Sequence, residues 1–188
     1  VAKHPQRRSS SKNRLSLVRS QGGNAWVFAH PAEVRECAED LEEVREMIEA
    51  GETDIATDEL RWLLGMCSEM LAAHFLLGKL AVEVNNDVDL GRGHFGAGYQ
   101  LGLQAWRRAG KPTPVAALHP ANRVFFDCGR GLAWCLHHLQ KTSMALEVVE
   151  HMLAMDPNDP LAIRSWIDEM QTEGKPVVEL GGMFRGPN

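Results

Sequence analysis

From residue 31 onward, apolar residues recur every three or four positions, and short breaks of Gly, Pro, Asn and Asp cut the runs at close intervals. A strand alternates with period two, so this rhythm favours amphipathic helices, and the short breaks make successive helices antiparallel neighbours. Val34, Cys37, Leu41, Val44 and Ile48 lie on one face of a first helix that opens at Pro31 and stops at Gly51. Proline suits a first turn and glycine the left-handed residue after a last turn. Ile55, Leu60, Leu63, Leu64 and Cys67 make a second helix. The third is expected over 71–84, and a glycine-rich fourth over 89–108. The segment 110–120, "GKPTPVAALHP", forbids a continuous helix because it holds three prolines. A fifth helix is expected over 122–139 and a sixth over 143–155, and a seventh starts after Asp159, which caps it, with Pro160 in its first turn.

Composition narrows the class further. Apolar residues make up 44% and charged residues 24%, as in an ordinary globular chain. No window holds the roughly 18 uninterrupted apolar residues of a membrane helix, and no charged-then-apolar leader opens the chain. Cys37, Cys67, Cys128 and Cys135 all fall inside apolar helical patterns. They are expected to be reduced and buried, in a cytoplasmic protein. Charge is uneven. Residues 1–24 carry six Lys or Arg and no acid, whereas residues 31–60 carry twelve Asp or Glu against Arg35 and Arg45, a balance of −10. The acidic run reads as the solvated face of helices. The organisation expected is a basic disordered head over 1–30, a helical domain over 31–173 and a tail over 174–188.

The hairpins share a frame. Leu132, Ala133 and Leu136 in one helix stand at fixed distances from Ala145, Val149 and Met152 in the next, and Pro157 closes the unit. The small residues let two helices approach, the large ones fill the space between hairpins, and the proline forces the next turn. Upstream, Leu77 and Gly78 repeat the first positions, and Gly91, Phe95 and Gly98 the second; Val44, Met47, Ala56, Leu60 and Leu63 form an earlier unit. This pattern resembles the tetratricopeptide repeat. The resemblance implies an all-α fold of antiparallel helical hairpins in a right-handed superhelix. Its units cover about 37–70, 71–104 and 126–159, with a capping helix over 160–173 and residues 105–125 interrupting the array. An irregular helical bundle is the competing architecture.

The family frame also implies a function: a non-catalytic scaffold or adaptor that holds a partner peptide in a concave groove. First-helix residues that face away from the second helix would line it. Carried over by frame, these are Arg45, Phe75, Lys79, Arg130, Trp134 and His137, with His138 at the edge. Cations beside aromatic anchors suit a protein segment that is acidic and partly apolar. The competing reading makes Trp134 core and Arg130 solvated, and the competing function is an enzyme or small-ligand binder. Signals for that alternative are few. "GRGHFGAGYQLG" has the glycines of a phosphate loop but no strand before it, so close helix packing is the reading it favours. Cys128, Cys135, His137 and His138 share one helix, where adjacent histidines diverge by ~100°, so no metal and no cofactor is expected. The basic head has two readings, a tail without a partner or a contact with nucleic acid, and no aromatic precedes Trp26 to stack bases.

Overall fold

The computed structural model describes residues 14–171, and within them nearly every long apolar run is a helix. Eight helices and one hairpin make up this span: β1 (Ser16–Arg19), β2 (Trp26–Ala29), α1 (Ala32–Glu36), α2 (Ala38–Glu49), α3 (Thr53–Met66), α4 (Leu71–Glu83), α5 (Val88–Arg108), α6 (Pro120–His138), α7 (Thr142–Met155) and α8 (Ser165–Gln171). Each helix from α2 to α7 packs on the next in sequence, and α4 also packs on α6. Gly51 closes α2 at φ +82°, a conformation that costs glycine little. Asp87 caps α5 by accepting the Leu90 N–H at 2.9 Å. Pro120 begins α6 behind the His119 cap.

Apolar burial divides into two clusters. One joins α2, α3 and α4 through Leu41, Val44, Leu60, Leu63, Met70 and Leu77. The other runs through α4 to α8 and the hairpin, with Phe95, Tyr99, Phe125, Phe126, Met152 and Trp166. Ala133 and Ala145, the small residues of the repeat frame, are fully buried. Three glycines of α5 are points of close contact with neighbouring elements. A Cβ at Gly98 would lie 2.7 Å from Cys128 Sγ, and one at Gly91 or Gly102 would collide with Val82 or Phe125. Close packing accounts for Gly91, Gly98 and Gly102, whereas Gly93 and Gly96 have room for a side chain.

Four expectations change. Residues 14–30 do not belong to a disordered head. They form the antiparallel β1–β2 hairpin, in register Leu17 with Phe28, and Leu15 and Phe28 are buried. Residues 1–13 and 172–188 lie outside the described residues, so the rest of the head and the tail do too. The first helix is two: the chain breaks at Cys37 between α1 and α2. The seventh helix starts at Ser165, not at Pro160, because Asp159 and Ala162 both take positive φ and keep the chain in turns. Asp159 still works as a cap, but on that turn, accepting the N–H groups of Ile163 at 2.7 Å and Arg164 at 3.0 Å.

The fourth change concerns the interruption. The loop between α5 and α6 does not part the hairpins, since α4 and α5 both pack on α6. It is threaded between the β-hairpin and the end of α7. Trp26 N–H donates to Pro114 O at 2.8 Å, and Val115 N–H donates to Met155 O at 2.7 Å. Asp156, at the "DPNDP" stop, accepts the Ala117 N–H at 2.8 Å. That aspartate is buried and fixes the loop to the end of α7. On the other side, fully buried Asn122 of α6 accepts the Phe28 N–H at 2.8 Å and donates to Trp26 O at 3.0 Å and Ala116 O at 2.8 Å.

Candidate functional site

The six groove residues do not gather into one site. Arg45 sits exposed on α2, held by Glu42 at 2.6 Å, in the α2–α3–α4 part of the molecule. The other five lie on α4 and α6, which are adjacent. Phe75 is half-buried on α4, its ring 6.0 Å from the Phe95 ring of α5. One turn on, Lys79 pairs with Glu83 at 3.7 Å, both about one-third exposed. Gly78 and Gly131 bring the two helices to opposite sides of the same Phe95 ring, where a Cβ on either would approach to within 2.7 or 2.8 Å. The packing that seats Phe95 thus places the neighbouring Lys79 and Arg130 on helices held side by side.

Arg130 is the most enclosed of the set, with 13% of its side chain exposed. Its guanidinium lies 5.4 Å from the Trp166 ring centre of α8 and 3.7 Å from Asp127, which Arg123 also contacts at 3.2 Å. Burial pushes the Asp127 carboxyl up and the two arginines pull it back. Arg130 is therefore a fastener between α6 and α8, not a solvated charge. Trp134 is half-buried: it packs against the larger core cluster and stacks on His138, the ring centres 3.8 Å apart. His137, also half-buried, faces the Thr142 hydroxyl at 3.4 Å.

The cysteines point inward. All four are buried free thiols. Burial is the first cause that raises each pKa, and Cys135 is pushed up to about 12. A thiol in that state is a poor nucleophile. Among the described residues no group of three or more His, Cys, Asp or Glu side chains converges as a metal site would require. Two histidines do meet on the α4–α5 surface. The His74 and His94 rings are 6.4 Å apart, and the His74 Nε2–H donates to Ser68 O at 3.2 Å. Desolvation lowers both pKa values, and for His94 the charges of His74 and Arg61 lower it further. Helix periodicity predicts neither this pair nor the Tyr99–His151 hydrogen bond of 2.9 Å between α5 and α7, because each joins positions more than one helix turn apart in sequence.

An open polar cleft of about 290 Å³ lies between α3 and the end of α4, lined by Thr53, Asp54, Thr57, Arg61 and Asn85 among others. Its hydroxyl and guanidinium groups are engaged locally: Thr57 donates to Thr53 O at 2.8 Å and Arg61 to Asp58 at 3.1 Å. No helix among the described residues is long and apolar enough to cross a membrane. No family model, curated protein or solved structure matches the chain.

Proposed function

We propose that this chain is a non-catalytic, tetratricopeptide-like scaffold that holds a partner protein segment along the outward stripes of α4 and α6. One observation supports the reading: α4 and α6 pack directly against each other, and on this reading their half-buried stripes, Phe75 with Lys79 and Trp134 with His137, adjoin. A half-buried tryptophan stacked on a histidine is a preformed apolar platform, and aromatic anchors of that kind carry much of an interface's energy. Lys79 at the same surface suits a segment that is acidic as well as apolar. On this reading Arg130, engaged by Asp127 and Trp166, and Arg45, on α2, take no direct part. Four buried free thiols fit a reducing compartment such as the cytoplasm.

The test is a panel of acidic–aromatic peptides titrated against the full chain and its Trp134→Ala variant. The expected loss in the variant is about 2 kcal/mol of binding. Retained affinity in Trp134→Ala, with loss on substituting a residue of another face, would sink this site. A steady weakening with added salt is expected from Lys79, since screening shortens its reach.

A further inference from the structure

The inner face of α3 is complete without its outer face. Ala56, Leu60 and Leu63 are fully buried against α2 and α4, and Cys67 closes the same stripe. Ile55, Trp62 and Met66 nevertheless stand in solvent, 58%, 53% and 60% exposed. Their spacing of seven and four puts them on one side of the helix, a stripe about 16 Å long at 1.5 Å per residue. Three large apolar side chains aligned on a helix whose core stripe lies elsewhere have no folding role, and exposed apolar patches of this kind mark interaction surfaces.

We propose that this α3 stripe is a second docking surface, which takes a basic amphipathic helix of a partner protein. The surroundings choose the occupant. Asp54 and Asp58 flank the stripe on α3, and the adjoining α2 exposes Glu42, Glu43, Glu46 and Glu49. Arg45 pairs with Glu42 at 2.6 Å and Arg61 with Asp58 at 3.1 Å, so those charges cancel and Asp54, Glu43, Glu46 and Glu49 carry the excess negative charge of the two helices. An acidic rim around an apolar stripe complements a helix with leucine-like residues on one face and Lys or Arg beside them. A second copy of the chain would set acid against acid. Residues 1–13 offer Lys3, Arg7, Arg8 and Lys12 but only Val1, Ala2 and Pro5 as apolar groups, so they could meet the rim and not the stripe. The acidic segment suited to α4 and α6 would be repelled here, so the two surfaces select partners of opposite charge.

The probe is a synthetic helical peptide with leucines at positions i, i+4, i+7 and i+11 and lysines along both flanks. Its control keeps the leucines and replaces every lysine with glutamate. With the full chain, the basic peptide is expected to shift the Trp62 indole and Met66 methyl resonances. Its affinity is expected to fall at least tenfold in Trp62→Ala and in Met66→Glu and to be unchanged in Trp134→Ala. Far-UV circular dichroism and the thermal midpoint keep the variants comparable. The proposal is overturned if the acidic control binds as well, if neither peptide binds, or if the resonances that move belong to α4 and α6. It is also overturned if the free chain self-associates and Met66→Glu makes it monomeric, since a second copy is then the occupant. Retained acidic-peptide binding in Trp134→Ala touches only the α4–α6 reading, so the two failures are distinguishable.

Discussion

The cluster shared by α2, α3 and α4 is built from aliphatic and sulfur-bearing side chains, with no aromatic among its buried members. The larger cluster, from α4 to α8 and the hairpin, buries Phe28, Phe95, Tyr99, Trp106, Phe125, Phe126 and Trp166. It is also flanked by Asn122 and Asp156, the two buried polar residues among the described residues, whose hydrogen bonds tie hairpin, loop, α6 and α7 together. Phe125 alone meets the rings of Phe28, Tyr99 and Phe126 at 5.1 to 5.7 Å. Aromatic rings and buried hydrogen bonds have directional demands, so they specify one arrangement where aliphatic contacts tolerate several. The difference teaches where rigidity and surplus surface lie. The aromatic side is locked and exposes Val18, Leu90, Leu118 and Met144 on separate elements, whereas the aliphatic side aligns Ile55, Trp62 and Met66 in solvent on one helix.

The largest expected effect tests that asymmetry directly. Phe125→Ala should cost about 3–5 kcal/mol and lower the stability of the whole molecule. Leu60→Ala should cost about 2–5 kcal/mol by the same cavity argument, but its effect should be local. Hydrogen exchange separates them. Leu60→Ala is expected to speed exchange in α2 and α3 and leave α5 and α6 protected, whereas Phe125→Ala speeds exchange throughout. Uniform acceleration in both variants would mean that the two clusters unfold as one.

Asn122→Leu comes next. It removes three hydrogen bonds at once and leaves Phe28 N–H, Trp26 O and Ala116 O without their partner. At about 1 kcal/mol or more for each buried group left unsatisfied, the cost is on the order of 3 kcal/mol in denaturant unfolding. A change below about 1 kcal/mol would show that the hairpin is held by Leu15 and Phe28 alone.

These residues also mark how far the sequence is legible. Helices α3 to α7 can be read from it to within two residues, because their apolar faces repeat strongly and Gly51, Asp87 and Pro120 punctuate them. The hairpin is hidden when the charge of residues 1–24 is taken as one block. Leu15, Leu17 and Phe28 bracket "SQGGNA", and two short apolar runs around a Gly-Gly-Asn turn are a hairpin signal in their own right. The role of Asp156 is hidden for a different reason. The stop at "DPNDP" is plain, but its carboxylate serves Ala117, a partner 39 positions away. In the same way the repeat frame counts Arg130 as a binding charge because nothing local announces Trp166 beside it.

Ala145→Trp probes the repeat frame within the locked region. Ala145 is fully buried where α7 meets α6. A large ring there should overpack the hairpin, at about 1–3 kcal/mol. An unchanged melting temperature would mean that the helices part at little cost, against the rigidity argued for this side.

A smaller effect lies at the junction of the two clusters. His74, on α4, is held below its ordinary value of 6.5, chiefly by burial, against the opposing pull of its hydrogen bond to Ser68 O. The unfolded chain therefore takes up the proton first as pH falls. Its contribution to stability is fully present above about 6.5 and is lost as pH drops through that value towards the folded one. Denaturant unfolding at about pH 7.5 and about pH 5.5 should show less stability at the lower pH, and His74→Gln should reduce the difference. An identical pH dependence in the variant would assign the slope to other groups.

The smallest expected effect is the most informative about the aliphatic side. Trp62→Ala removes the largest side chain from α3, yet its stability change should stay within about 0.5 kcal/mol. The reason is positional: Trp62 is 53% exposed, while Ala56, Leu60 and Leu63 on the inner face carry the packing on α2 and α4. A buried tryptophan replaced by alanine costs about 3–5 kcal/mol, so the two cases are separated by several degrees in melting temperature. A large loss would place Trp62 in the fold and leave α3 without a surface to offer. A negligible loss, with basic-peptide affinity down tenfold or more, would give the two regions separate roles. Aromatic rings then hold the C-terminal hairpins together, and the aliphatic N-terminal hairpin keeps its one large ring for a partner.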